Sequence, residues 1–203
     1  GTFDMLNKQT GRQLNGLHYF EDSGDVGDAW LRYTPAINDI VTSLGNNAKI
    51  TVSHDSDLCG SITIQQQLDI PVGAAGQAVS RSCITKPMNI SSQLTLAKGQ
   101  KRLDMETKVD NNAYDHRLRV MFPTDIEAKY SDAEGHFTVE HRPVEPAREE
   151  DGSYRPNMQT LPHRSFIDLS DGKEGLAIIN DGLLEYEAVN ESRRTIAITL
   201  LRA

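Results

Sequence analysis

The sequence predicts an all-β protein, built as an antiparallel β-sandwich. Apolar and polar residues alternate with period two in one segment after another, which sends one set to a core and the other to solvent. No window long enough for several helical turns carries a helical period. Gly, Asn and Asp cluster between the alternating segments, as turns do. Continuous apolar runs are missing, so a parallel sheet covered on both faces is not expected.

The chain opens inside what reads as a strand. "FEDSGDVGDAW" then gathers Glu21, Asp22, Asp25 and Asp28 around two glycines and ends on Trp30, the single tryptophan. "KITVSHD" and "SITIQQQLDI" alternate cleanly, placing Ile62, Ile64 and their even-numbered neighbours on one face. "QLTLAKGQKRLDMETKV" continues the pattern around a Lys98-Gly99-Gln100 turn. In "RLRVMF", Leu118, Val120 and Phe122 mark a core strand, and "FTVEH" and "TIAITLL" add more of the same. "HRPVEPAREEDGSYRPNMQTLPHRSF" is the one extended irregular stretch, with Pro143, Pro146, Pro156 and Pro162. Proline removes ladder donors, so no central strand is expected there. A loop of this length is usually functional or disordered; packing on a neighbouring domain and mediating homo-oligomer assembly are further readings. Strands this long and irregularly spaced suit one sandwich over residues 1–203 better than two small modules.

The net charge of −8, with dispersed Lys and Arg, argues against a nucleic-acid surface, which needs a basic stripe to displace counterions. It argues equally against docking on anionic lipid. No apolar run approaches the length that spans a bilayer, and the opening residues form no signal-peptide pattern. The chain opens at Gly1 without an initiator Met, and we read it as a piece of something longer, so those absences say little about the parent. Cys59 and Cys83 are the two cysteines, read as reduced, buried thiols of a cytoplasmic protein.

Chemistry-bearing patterns are sparse. There is no Gly-x-Ser-x-Gly elbow and no phosphate-binding glycine loop. His136 and His141 fall on opposite faces of a strand, which does not converge on zinc. Arg117 and Arg119 share a face and either clamp an anion or pair with acidic residues across the sheet. The acidic loop supports three readings: a calcium site, a sugar site with Trp30 stacking on a ring, or an Asx turn whose carboxylates satisfy backbone donors while Gly takes positive φ.

Taken in order, four segments resemble the region that follows the catalytic domain in bacterial α-mannosidases of glycoside hydrolase family 38, above all the mannosylglycerate hydrolase-like branch. "GTFDMLNKQTGR" is similar to its opening strand–turn–strand. "FEDSGDVGDAWLRYTP" is similar to D-x-G-D-x-(G)-D-x-Y-x-Y-x-P, and "NNAYDHRLRVMFPTD" to N-x-x-x-D-H-R-L-R-V-x-x-P-T. "GLAIINDGLLEYEAVNESRRTIAITLLRA" resembles the closing G-(L/M)-A … A-L-T-L-L-R. The resemblance spans Gly1 to Ala203.

The resemblance implies a galactose-mutarotase-like supersandwich, the central β domain of a retaining, zinc-dependent α-mannosidase. Its zinc ligands and both catalytic carboxylates lie in the N-terminal portion, beginning with a His-x-His-x-Asp-like motif that this chain lacks. Retention needs two carboxylates flanking one bond, and neither is assigned here: no catalytic residue, no metal ligand and no cofactor in this domain. The implied role is to buttress the parent's own N-terminal catalytic domain and to supply part of a rim for an α-mannoside or mannosylglycerate-like carbohydrate. Asp25, Asp28 and Trp30 are the substrate-binding candidates. Trp30 stands where the family has Tyr, so a bond accepted by that hydroxyl is lost, since an indole N–H only donates. An independent carbohydrate-binding module and a purely structural interface domain are the alternatives.

Overall fold

The computed structural model describes residues 1–145 and 160–203; the middle of the Pro-rich stretch, with Pro146 and Pro156, lies outside them. A hairpin of β1 (Phe3–Leu6) and β2 (Gln13–Leu17) leads into β3 (Tyr19–Gly24), and β4 (Val41–Thr42) follows a long loop. Next come β5 (Ala48–Asp55), β6 (Cys59–Pro71), the short β7 (Ala74–Ala75) and β8 (Ser80–Arg81), then β9 (Thr85–Ala97) and β10 (Leu103–Asp110). The remainder is β11 (His116–Pro123), β12 (Tyr130–Glu134), β13 (Val139–Pro143) and β14 (Leu161–Pro162). The chain closes with β15 (Phe166–Ser170), β16 (Gly175–Ile179), β17 (Glu185–Val189) and β18 (Thr195–Arg202).

These strands form a six-stranded sheet ordered β14-β17-β18-β11-β3-β4, two four-stranded sheets ordered β10-β9-β6-β5 and β13-β12-β15-β16, and two small hairpins. Phe20, Val120, Ile198 and Tyr186 stand in one cross-strand row of the six-stranded sheet. That face meets Leu68, Ile70, Met88 and Ile90 from one four-stranded sheet and Ile167, Leu169 and Ile178 from the other, in one core. Burying such residues removes about 1.5–3 kcal/mol of exposed apolar cost per large side chain, and it fixes each register because a one-residue slip would expose the row. The all-β reading, the sandwich and the core strand at Leu118, Val120 and Phe122 are borne out. Ile64, Gln66, Leu68 and Ile70 are buried on the even-numbered face of β6.

Prolines sit where a missing donor costs least: Pro143 ends β13 and Pro162 lies in β14, both edge strands. The cysteines differ from expectation. Cys83 is exposed and Cys59 half-buried, and both are free, because Cys59 opens β6 at its distal end and Cys83 lies in the loop before β9.

Candidate functional site

Both glycines of the acidic loop are required, though for a reason other than positive φ. Neither Gly24 nor Gly27 is among the glycines with positive φ. The loop instead folds so tightly that a Cβ on Gly27 would lie 1.9 Å from the Leu31 carbonyl oxygen, and one on Gly24 would lie 2.6 Å from Pro35 Cγ.

The carboxylates complete the loop. Asp25 is buried, and its Oδ1 accepts from the Gly27 and Tyr33 backbone N–H groups at 3.1 and 3.4 Å. Its Oδ2 accepts from Arg202 Nε at 2.6 Å. Arg202 Nη2 also donates to the carbonyls of Asp28 and Leu31, at 2.9 and 3.2 Å. Asp28 Oδ1 accepts from Trp30 N and Leu31 N at 2.8 and 2.7 Å, an Asx turn. The N–H groups of Leu31 and Trp30 hold the Asp28 carboxyl below its ordinary range, and the bond to Asp25 raises the Arg202 guanidinium. Repulsion among the acids is thus relieved by backbone donors and one arginine from the far end of the chain. At the tip, Trp30 is 88% exposed. Asp25, Asp28 and Arg202 also line a shallow groove of about 540 Å³, together with Ala29 and Leu184.

Asp22 points the other way. It stands two residues after Phe20 on the same face of β3, so its side chain enters the core face, where it is fully buried. An isolated carboxylate there would be far too costly. Two groups meet it: the Arg81 guanidinium, in a buried salt bridge, and His116 Nδ1 at 2.5 Å. His116 Nε2 faces Asn111 Oδ1 at 3.0 Å. That oxygen also accepts from Ala113 N, while the same amide's Nδ2 donates to the Ala113 carbonyl, so the oxygen is the face turned to the ring. Arg81 also donates to the Asp39 carbonyl, Gly24 N to Asn38, and Ala74 N to Asp115. One buried node therefore interlocks the loops at 25–40, 72–84 and 111–115.

On the outer face of β11, Arg119 pairs with Glu21 on β3 and Glu187 on β17. Burial pulls its guanidinium down, and these two carboxylates more than offset that. Arg117 is buried with Thr160 Oγ1 as its acceptor at 2.9 Å. Burial, with Arg119 and Arg32 nearby, lowers it to about 9. Cross-strand pairing is the reading realised for Arg119. His141 bonds to Asp132 at 2.7 Å. Among the described residues no group of three or more His, Cys, Asp or Glu side chains could hold a metal ion, so these residues do not fit zinc.

Within this frame the chain meets its relatives. The description "Glycosyl hydrolases family 38 C-terminal domain" matches residues 1–203. The chain belongs to this family. An α-mannosidase from Enterococcus faecalis V583 superposes with a TM-score of 0.92 at 29% identity, over 100% of this chain and 24% of its own. A second Enterococcus faecalis structure, of a protein in glycosyl hydrolase family 38, gives a TM-score of 0.88 at 29% identity, with the same coverage. A Halalkalibacterium halodurans protein with the provisional name mannosylglycerate hydrolase is 30% identical over all of this chain and 23% of its own length. The chain thus spans about a quarter of the relatives it matches. In this family 38 domain, the partners that sequence reasoning missed are Arg81 and Arg202. Arg81 lies 59 residues from Asp22, and Arg202 lies 177 from Asp25, with no local pattern linking either pair.

Proposed function

We propose that this chain is the non-catalytic β domain of a zinc-dependent, retaining α-mannosidase, and that its acidic loop forms part of the carbohydrate rim. Hydrolysis then belongs to the full-length enzyme, with zinc and both catalytic carboxylates held outside these residues. The observation that carries the reading is Trp30, an almost fully exposed indole on a loop closed by Asp25, Asp28 and Arg202. A large aromatic held in water by a stiff loop is a preorganised stacking surface, since little ordering entropy remains to be lost on binding. Asp25 serves as the loop's anchor, its two oxygens already accepting protein donors. Asp28 presents Oδ2 toward a ligand. The domain also buttresses the catalytic portion.

The substrate class is an α-mannoside, with mannosylglycerate-like sugars the leading choice from the name of the Halalkalibacterium halodurans relative. We place the parent in the cytoplasm, where the exposed Cys83 stays reduced. Turnover of an aryl α-mannoside by full-length enzyme, and none by residues 1–203 alone, is the expected result. Turnover by the 203-residue chain would overturn the assignment.

A further inference from the structure

The β10-β9-β6-β5 sheet is longer than what covers it. β6 and β9 have 13 residues each, against 8 each for β11 and β18. Its two faces differ sharply. Thr51, Thr63, Gln93 and Glu106 stand in one cross-strand row on the solvent face. The next row, on the core-side face, is Val52, Ile62, Leu94 and Met105. Alternation therefore continues past the shared core, and the apolar side is left open at both margins: Val52 is 71% exposed and Met105 39%. Ile50 and Leu96, on the same side, are exposed as well.

Two more observations fall on this side of the sheet. β5 is an edge strand, exposed along nearly its whole length and rich in β-branched residues, with Lys49 and Asp55 near its two ends and residues 50–53 uncharged between them. Gln66, on the same side, is buried, yet neither Oε1 nor Nε2 has a hydrogen-bond partner among the described residues. Gly1 packs directly against that amide. Apolar side chains in water beside an exposed strand edge favour a covering polypeptide with a free backbone and apolar side chains; the Gln66 amide is already enclosed and adds nothing to that.

We propose that the apolar margin formed by Ile50, Val52, Leu96 and Met105 is a docking face, and that its occupant is the remaining part of the same family 38 polypeptide. This rests on the reading of the chain as one domain of a larger enzyme. The relatives carry about three quarters of their length outside the matched region, so a cis partner is always present, whereas a second copy must be found by diffusion. The face is separate from the Trp30 loop, so docking and rim roles do not compete.

The test uses full-length enzyme with single cysteines at Val52→Cys, Met105→Cys, Thr51→Cys and Glu106→Cys. Each is treated with a maleimide, and the peptides spanning the substituted position are read by mass spectrometry. Thr51→Cys and Glu106→Cys react as exposed thiols, whereas Val52→Cys and Met105→Cys react about tenfold more slowly or less until the enzyme is unfolded. Equal reactivity on both faces overturns the proposal. Protection that disappears on dilution assigns the face to a second copy and overturns the chosen occupant. Backbone hydrogen exchange of β5 in the unmodified enzyme gives an independent readout: slow exchange supports docking, and exchange typical of an open edge refutes it. Aryl α-mannosidase activity is recorded in parallel. An inactive parent with a protected face removes the functional reading and leaves the docking face standing.

Discussion

Asp25 and Arg202 stand 177 residues apart and meet through a 2.6 Å hydrogen bond, which fastens the acidic loop to the last strand. Asp25 is nearly inaccessible, while the Arg202 side chain keeps 19% of its exposure. Asp25→Ala therefore frees a guanidinium that water can reach, and the expected loss is about 1–3 kcal/mol rather than the larger penalty of a stranded buried charge. Urea melts measure it. Arg202→Lys is expected to lose most of the same stability, because one ammonium cannot reach Asp25 and two carbonyls in the fork geometry of a guanidinium.

The Asp22 node is expected to be the more costly one to break. Asp22→Ala leaves Arg81 and His116 buried without their shared carboxylate, and a loss of about 3–5 kcal/mol follows. Glu106→Ala, on the solvent face, is expected to stay within about 0.5 kcal/mol. Parallel denaturant titrations compare the two.

His18 gives a pH dependence of stability. It sits among Phe3, Phe20 and Phe122, and burial lowers it to about 4 from 6.5. The unfolded chain therefore takes up this proton first as pH falls. The contribution is complete above about pH 6.5 and is lost progressively toward pH 4, amounting to about 3 kcal/mol. Its backbone φ is +69°, so Asn is the substitution that fits the left-handed region. Wild type minus His18→Asn, measured from pH 8 to about 4, is expected to show a stability difference that shrinks with acidity; a constant difference would contradict it.

Gly27→Ala is expected to displace the loop, since its Cβ would collide with backbone at Leu31 and Tyr33. Removing one glycine's freedom ordinarily stabilises by a few tenths to about 1 kcal/mol; here the clash reverses the sign. A shift of the single tryptophan's emission, together with a lower melting temperature, is the expected outcome.

These residues also mark how far the sequence could be read. Period-two alternation exposed the sandwich and the core at Leu118, Val120 and Phe122, because burial on one face writes itself into local spacing. It could not show that Arg117 and Arg119, on the opposite face, are buried too, since that depends on Thr160, Glu21 and Glu187 brought in from other strands. The Asx turn at Asp28 was legible because its partners lie two and three residues away. The interlock at Asp22 was not, for its partners come from β8 and β11. The glycines were noticed for the wrong conformational reason, as close approach leaves no local signature distinct from positive φ.

The central claim is that Trp30 faces carbohydrate in the assembled enzyme. The most direct measurement is kcat/KM of full-length Trp30→Ala with an α-mannoside, beside Phe137→Ala, which removes another fully exposed aromatic on the β12–β13 turn. Loss of one stacking contact predicts a fall of about tenfold for Trp30→Ala and no change for Phe137→Ala. An unchanged kcat/KM in the Trp30 variant, with its fold intact, would contradict the rim.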